Sequence, residues 1–147
     1  MRRPCMALAV MCIAGGAFAQ EAPSYTPSDN PFQGDYHFAA GQPITFHVDL
    51  VGVHLDDLTV KALDEPPKDG RINCDVTLTG SGAADHKTEL TVVLLFEDAN
   101  RSGIERISLE AFKVKKEKSF HETQRMSIGV DTMNAAKRVY IFVQAAT

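Results

Sequence analysis

In run after run from Ile44 to Val143, apolar residues stand at every second position. Ile44, Phe46, Val48 and Leu50 share one parity, while Thr45, His47 and Asp49 share the other. Successive side chains of a strand point to opposite faces, so this spacing describes a strand with one face buried. The pattern returns at Leu58, Val60 and Ala62, at Ile72, Cys74, Val76 and Leu78, and at Leu90, Val92, Leu94 and Phe96. It returns again at Met126, Ile128 and Val130, and at Val139, Ile141 and Val143. The stretch RISLEAFKVKKEK is rich in helix formers, yet Ile107, Leu109 and Ala111 alternate, with Phe112 and Val114 out of phase. No segment keeps a 3.6-residue period between caps. About seven strands separated by turns predict an all-β chain folded as a single β-sandwich.

The turns are written in ordinary turn chemistry. DEPPKDG, Asp64 to Gly70, combines two prolines that fix φ with an Asp-Gly pair suited to a tight reversal. At Val51-Gly52 the apolar parity flips, which predicts a β-bulge or a bend. GSGAADHK, DANRSG and KKEKS are further connections, and TMNAA reads as a short helical turn or loop. In TELTVVLLFE, Val93 and Leu95 add a second apolar face, as expected of a central strand covered on both sides.

The N-terminus has the form of an export signal. Arg2 and Arg3 precede the apolar run Met6–Ala14, and Ala17-Phe18-Ala19 fits a cleavage site. The apolar run is too short to span a bilayer, which needs about 20 residues. Cleavage near Ala19 leaves 147 less 19, or 128 residues, enough for one core. Loss of the two arginines moves the net charge from −4 to −6. An acidic exported chain lacks the basic surface that nucleic-acid phosphates require. Only Cys74 remains after cleavage, so no internal disulfide is available. Residues 20–42, with Pro23, Pro27 and Pro31, read as an extended lead-in, and residues 43–147 as the sandwich domain. The predicted location is the periplasm or the medium, with no membrane span.

The strand count, the chain length and the hairpin LTVVLLFEDANRSG resemble the immunoglobulin-like and fibronectin type III-like modules of bacterial exported proteins. The resemblance implies an immunoglobulin-like sandwich that binds or scaffolds. The Cys…Trp…Cys set of antibody domains is missing, since the chain has no tryptophan. The expected partner is a protein or another cell-envelope component, met at a sheet edge or at the loops of one end.

Two residue sets invite a metal reading. Asp98, Asn100, Ser102 and Gly103 open like a calcium loop, with oxygen donors at alternate positions. Leu109 stands where the bidentate glutamate belongs and Arg106 occupies another ligand position, so DANRSG is also a plain hairpin turn. His47, Asp49, His54 and Asp56 offer imidazoles and carboxylates on one strand face, a donor set suited to Zn²⁺ or Cu²⁺, and equally an ordinary solvated face. A periplasmic metal-binding protein is therefore the alternative to a binding module with no cofactor. Met126 follows the apolar parity and reads as core rather than as a copper ligand. Cys74 does the same and reads as a buried, inert thiol. His37, His86 and His121 are scattered, and Lys113–Lys118 is a charged hairpin tip. G-x-S-x-G, H-E-x-x-H and G-K-[ST] motifs are absent from the chain, which is read as non-catalytic.

Overall fold

The computed structural model describes residues 23–147. The signal peptide expected over residues 1–19 lies outside the described residues. The first strands are β1 (Thr26–Pro27), β2 (Phe32–His37), β3 (Ile44–Leu50), β4 (Val53–Ala62) and β5 (Arg71–Ser81). There follow β6 (Thr88–Glu97), β7 (Gly103–Ser108), β8 (Phe112–Val114) and β9 (Ser119–Gly129). A short helix, α1 (Val130–Ala135), precedes the last strand, β10 (Arg138–Ala146). One sheet has the order β1-β3-β4-β5-β9; the other runs β2-β10-β6-β7, with β8 also pairing β6. The chain is all-β with two sheets stacked in the manner of a sandwich. Among the described residues no helix is long and apolar enough to cross a membrane.

Alternation explains the core. Leu50, Val53, Leu55, Leu58, Val60, Cys74, Val76, Leu78 and Ile128 come from the first sheet, and Leu90, Val92, Leu94, Phe96, Val139, Ile141 and Val143 from the second. All are buried, and the opposite parities face solvent or the sheet's outer side. Burial raises the Cys74 thiol pKa, with the nearby charges of Asp75 and Glu105 adding to it. The thiol therefore stays protonated, as an inert core residue does.

Ten strands form, against about seven expected. The run from Ile104 to Val114 breaks into β7 and β8 across Leu109–Ala111, where its phase is about to slip between Ala111 and Phe112. The other two come from the segment read as a lead-in. β2 pairs along β10 from His37↔Arg138 to Phe32↔Val143, so the sheet begins well before residue 43. Phe32 and Phe38 are buried, and Phe38 meets Phe96 edge-on at 5.2 Å. The Asn30 amide adds a clamp: its Nδ2 donates to the Ala145 carbonyl (2.8 Å) and its Oδ1 accepts the Ala145 N–H (3.0 Å).

Two turns carry positive φ at both central residues. Asp69 and Gly70 lie at 55° and 73°, and Val51 and Gly52 at 52° and 86°. This is the type I′ geometry that matches the twist of adjoining strands. Val51-Gly52 is thus a two-residue hairpin joining Leu50 to its partner Val53, rather than a bulge. Asp49 holds it by accepting the Gly52 N–H at 2.9 Å. A β-branched residue is poorly suited to this region, where its Cβ crowds the following carbonyl. Val51→Asn is expected to stabilise the fold by about 1 kcal/mol, read as a melting temperature about 3–5 °C higher. An unchanged or lower value would count against strain at Val51.

Polar contacts close the open side of the stack. The Gln124 amide on β9 accepts the Glu110 N–H and donates to the Glu110 carbonyl, both at 2.8 Å. It thereby occupies backbone groups left unpaired where β7 gives way to β8. Nearby, Glu105 of β7 accepts from Arg71 of β5 (2.6 Å), from the Thr132 hydroxyl of α1 (2.7 Å) and from the Gly129 N–H (3.0 Å).

Candidate functional site

The residues that invite a metal reading are brought together only in pairs. His47 occupies a bulge in β3, at φ 53°, between Thr45 and Val48. Its Nδ1 lies 3.9 Å from Asp56 Oδ1, while His54 Nδ1 lies 3.4 Å from Asp49 Oδ2. Tyr25 contacts both imidazoles, stacking on His54 at 4.1 Å and meeting His47 edge-on at 5.8 Å. Its hydroxyl donates to Asp56 Oδ1 at 2.5 Å, and that hydrogen bond, with burial and the carboxylate charge, pushes the tyrosine pKa up to about 12. Asp49 is further committed to the Val51-Gly52 turn. Among the described residues no group of three or more His, Cys, Asp or Glu side chains is placed to hold a metal ion.

In DANRSG the Asp98 Oδ1 turns back on its own loop, accepting the N–H groups of Asn100 (2.8 Å) and Ser102 (3.0 Å). This is the local bonding by which aspartate builds turns. The loop joins the central strand β6 to β7, an edge strand, and not two central strands. Beside the β3–β4 hairpin, a cleft of about 510 Å³ is lined by Asp49, His54, Asp85, His86 and Glu117 among others. His86 Nδ1 contacts its neighbour Asp85 at 2.7 Å, and His86 Nε2 and His54 Nδ1 have no hydrogen-bond partner. The lysine-rich segment after β8 is an exposed turn.

The more distinctive surface lies on the outer face of the second sheet. Val93 and Leu95 of β6 were expected to be covered on that side. They are only half-buried, beside the rings of Tyr140 and Phe142 on β10. With Arg106 of β7 they line a shallow groove of about 260 Å³. Neither α1, which packs on β9, nor the first sheet, which lies across the core, covers this face. Register fixes the arrangement. One row across the strands reads Asp35, Tyr140, Leu95, Arg106; the next reads Gln33, Phe142, Val93, Ser108. Two aromatic and two aliphatic side chains thus form a central block with polar residues on both flanks. The Tyr140 hydroxyl donates to Gln33 Oε1, which fixes the ring against the sheet.

One end of this face is charged. Arg138 Nε donates to Asp35 Oδ1 at 2.9 Å, and Arg138 is Cα-paired with Glu97 across the strands. Glu97 is buried, and its Oε1 has no hydrogen-bond partner. Burial raises its pKa, as does the neighbouring Asp35 carboxyl; Arg138 and Arg101 offset part of this. Arg106 is exposed and makes no ion pair among the described residues. A sequence signal for this face existed, since RVYIFVQ and TELTVVLLFE are both apolar on two faces.

No protein-family model matches the chain, and the search of curated proteins finds none similar to it. The functional reading therefore rests on the residues and their geometry.

Proposed function

We propose that this is an exported, non-catalytic binding module, periplasmic or secreted, that docks onto a protein through the outer face of its second sheet. The observation that carries the reading is the uncovered block of Val93, Leu95, Tyr140 and Phe142. Half-exposed aromatic and aliphatic side chains grouped at the centre of a flat face, with charged groups at the rim, have the anatomy of a protein interface. Tyrosine and arginine, both present here, are the residue types that dominate such contacts. The face takes the place of the sheet edges and end loops expected from sequence. Strands that pass repeatedly between the two sheets support an immunoglobulin-like classification, and the basic-then-apolar N-terminus ending in Ala17-Phe18-Ala19 supports export.

A photoreactive phenylalanine analogue placed at Phe142 tests the docking surface in the native host. Irradiation is expected to yield a discrete adduct with a protein, whereas the same probe at the exposed Thr123, on the opposite sheet, yields little. Equal yields from the two positions, or no adduct from Phe142, would remove this face as a docking surface.

A further inference from the structure

We propose that the occupant of this face is a second copy of the chain, bound face to face about a two-fold axis parallel to the strands. The inference rests on the docking reading above and names the partner. Its basis is the order of side chains across the sheet. Strands run β2, β10, β6, β7, and the central row reads acid, aromatic, aliphatic, base: Asp35, Tyr140, Leu95, Arg106.

A two-fold axis lying between two such faces and parallel to the strands reverses each row onto itself. It sets β2 opposite β7 and β10 opposite β6. Asp35 then faces Arg106 of the second copy, and Tyr140 faces Leu95. In the next row Phe142 faces Val93, and the Gln33 amide faces the Ser108 hydroxyl. At the charged end Arg138 faces Glu97. Each pairing occurs twice, as an isologous interface requires. An axis perpendicular to the strands would instead stack β7 on β7 and bring like charges together. Packed sheets cross at about −30°, which keeps the central rows opposed and shifts the outer ones.

The charges of this face fit the arrangement. Asp35, half-exposed at one end of the central row, carries a negative charge beside Arg138, its ion-pair partner within the chain. Arg106, at the far side of the row, carries one positive charge with no partner of its own among the described residues. The reversed copy brings each to the other. The footprint is small: three strand spacings by six residues of rise give a patch of about 14 by 20 Å. That is below the usual size of a permanent interface, so the dimer is a weak one that forms with rising concentration.

Sedimentation velocity on the purified protein, from about 5 to 500 µM, is expected to show a shift from monomer to dimer. Arg106→Asp alone and Asp35→Lys alone each oppose like charges twice, and each is expected to weaken association at least about tenfold. An equimolar mixture of the two variants is the decisive sample. In the mixed dimer Asp at position 106 meets Lys at position 35, and the native Asp35–Arg106 contact is kept on the other side. Association should return toward the wild-type value. Melting curves verify that both variants are folded. If Asp35→Lys does not fold, the wild-type series and Arg106→Asp decide the question. A wild-type chain that stays monomeric throughout, or Arg106→Asp associating as strongly as wild type, overturns the proposal. The adduct from the Phe142 probe separates this failure from that of the docking reading. Twice the chain mass supports the self-association; an adduct of another mass keeps the docking surface and rejects the second copy.

Discussion

Phe96→Ala is expected to cost about 3–5 kcal/mol of folding stability. Phe96 is fully buried on the central strand β6, and it is one of the largest side chains with no solvent exposure. Its ring meets Phe38 edge-on at 5.2 Å, a geometry that adds to simple burial. Truncation leaves a cavity between the two sheets that the flanking strands cannot close without disturbing their pairing. The loss is a large share of the roughly 5–15 kcal/mol that holds a domain together. Phe38 lies just beyond β2, so its loosening should also make the N-terminal segment easier to cleave. Denaturant unfolding with limited proteolysis reads both effects. A cost below about 1 kcal/mol would show that Phe96 is not in a tightly packed interior.

Glu105→Ala is expected to be the next most damaging change, at about 2–3 kcal/mol, because it removes three hydrogen bonds from one partly buried carboxylate. Burial alone would raise the pKa of Glu105. The hydrogen bonds from Thr132, Arg71 and the Gly129 N–H, with the Arg71 charge, outweigh it and hold the pKa below the ordinary 4.5. The sign follows from linkage: a depressed folded-state pKa supplies stability that is fully present above the unfolded value. It is lost as pH falls from about 4.5 through the lower folded value. The difference in stability between wild type and Glu105→Ala should therefore be constant near neutrality and shrink below pH 4.5. Glu105→Gln keeps the two contacts on Oε1 but turns an amide N–H₂ toward Arg71, losing that hydrogen bond together with the charge, so it should cost less than alanine but more than nothing. A wild-type-to-alanine difference that does not change with pH would show that ionised Glu105 is not what ties β7 to β5, β9 and α1.

Much of the fold could be read residue by residue before any coordinates. The buried sets from Leu50 to Val143 are the alternating apolar positions themselves. The Asp69-Gly70 reversal and the short helix after Gly129 fall where turn chemistry placed them. β2 is hard to read from sequence although Phe32, Tyr36 and Phe38 share a parity. The position between Phe32 and Tyr36 is Gly34, which breaks the apolar count, and in the fold the Tyr36 ring lies where a side chain at Gly34 would be. Val51-Gly52 reads from sequence as a bulge or a bend, because a parity flip and a two-residue hairpin look alike in one dimension. The split of β7 from β8 was visible as a phase slip between Ala111 and Phe112, but the slip did not say that Gln124 would fill the gap.

The candidate sites divide on the same ground. Local sequence reads His47, Asp49, His54 and Asp56 as one strand face, whereas the fold puts the first two on β3 and the last two on β4. Whether they converge depended on the His47 bulge and on Tyr25, more than 20 residues away in sequence. In the Asp98 loop one carboxylate oxygen points back onto the loop's own N–H groups, a direction that sequence does not give. The docking face is tertiary throughout. Sequence alone fixed that β6 and β10 carry apolar residues on both faces, because parity is a local property of the chain. Only the tertiary structure decided that these strands are neighbours, that none of the described residues crosses their outer side, and that Asp35 and Arg106 stand at opposite ends of one row. Strand order and register are set by long-range pairing, in which each strand's buried face selects its neighbours, and no local pattern encodes that choice.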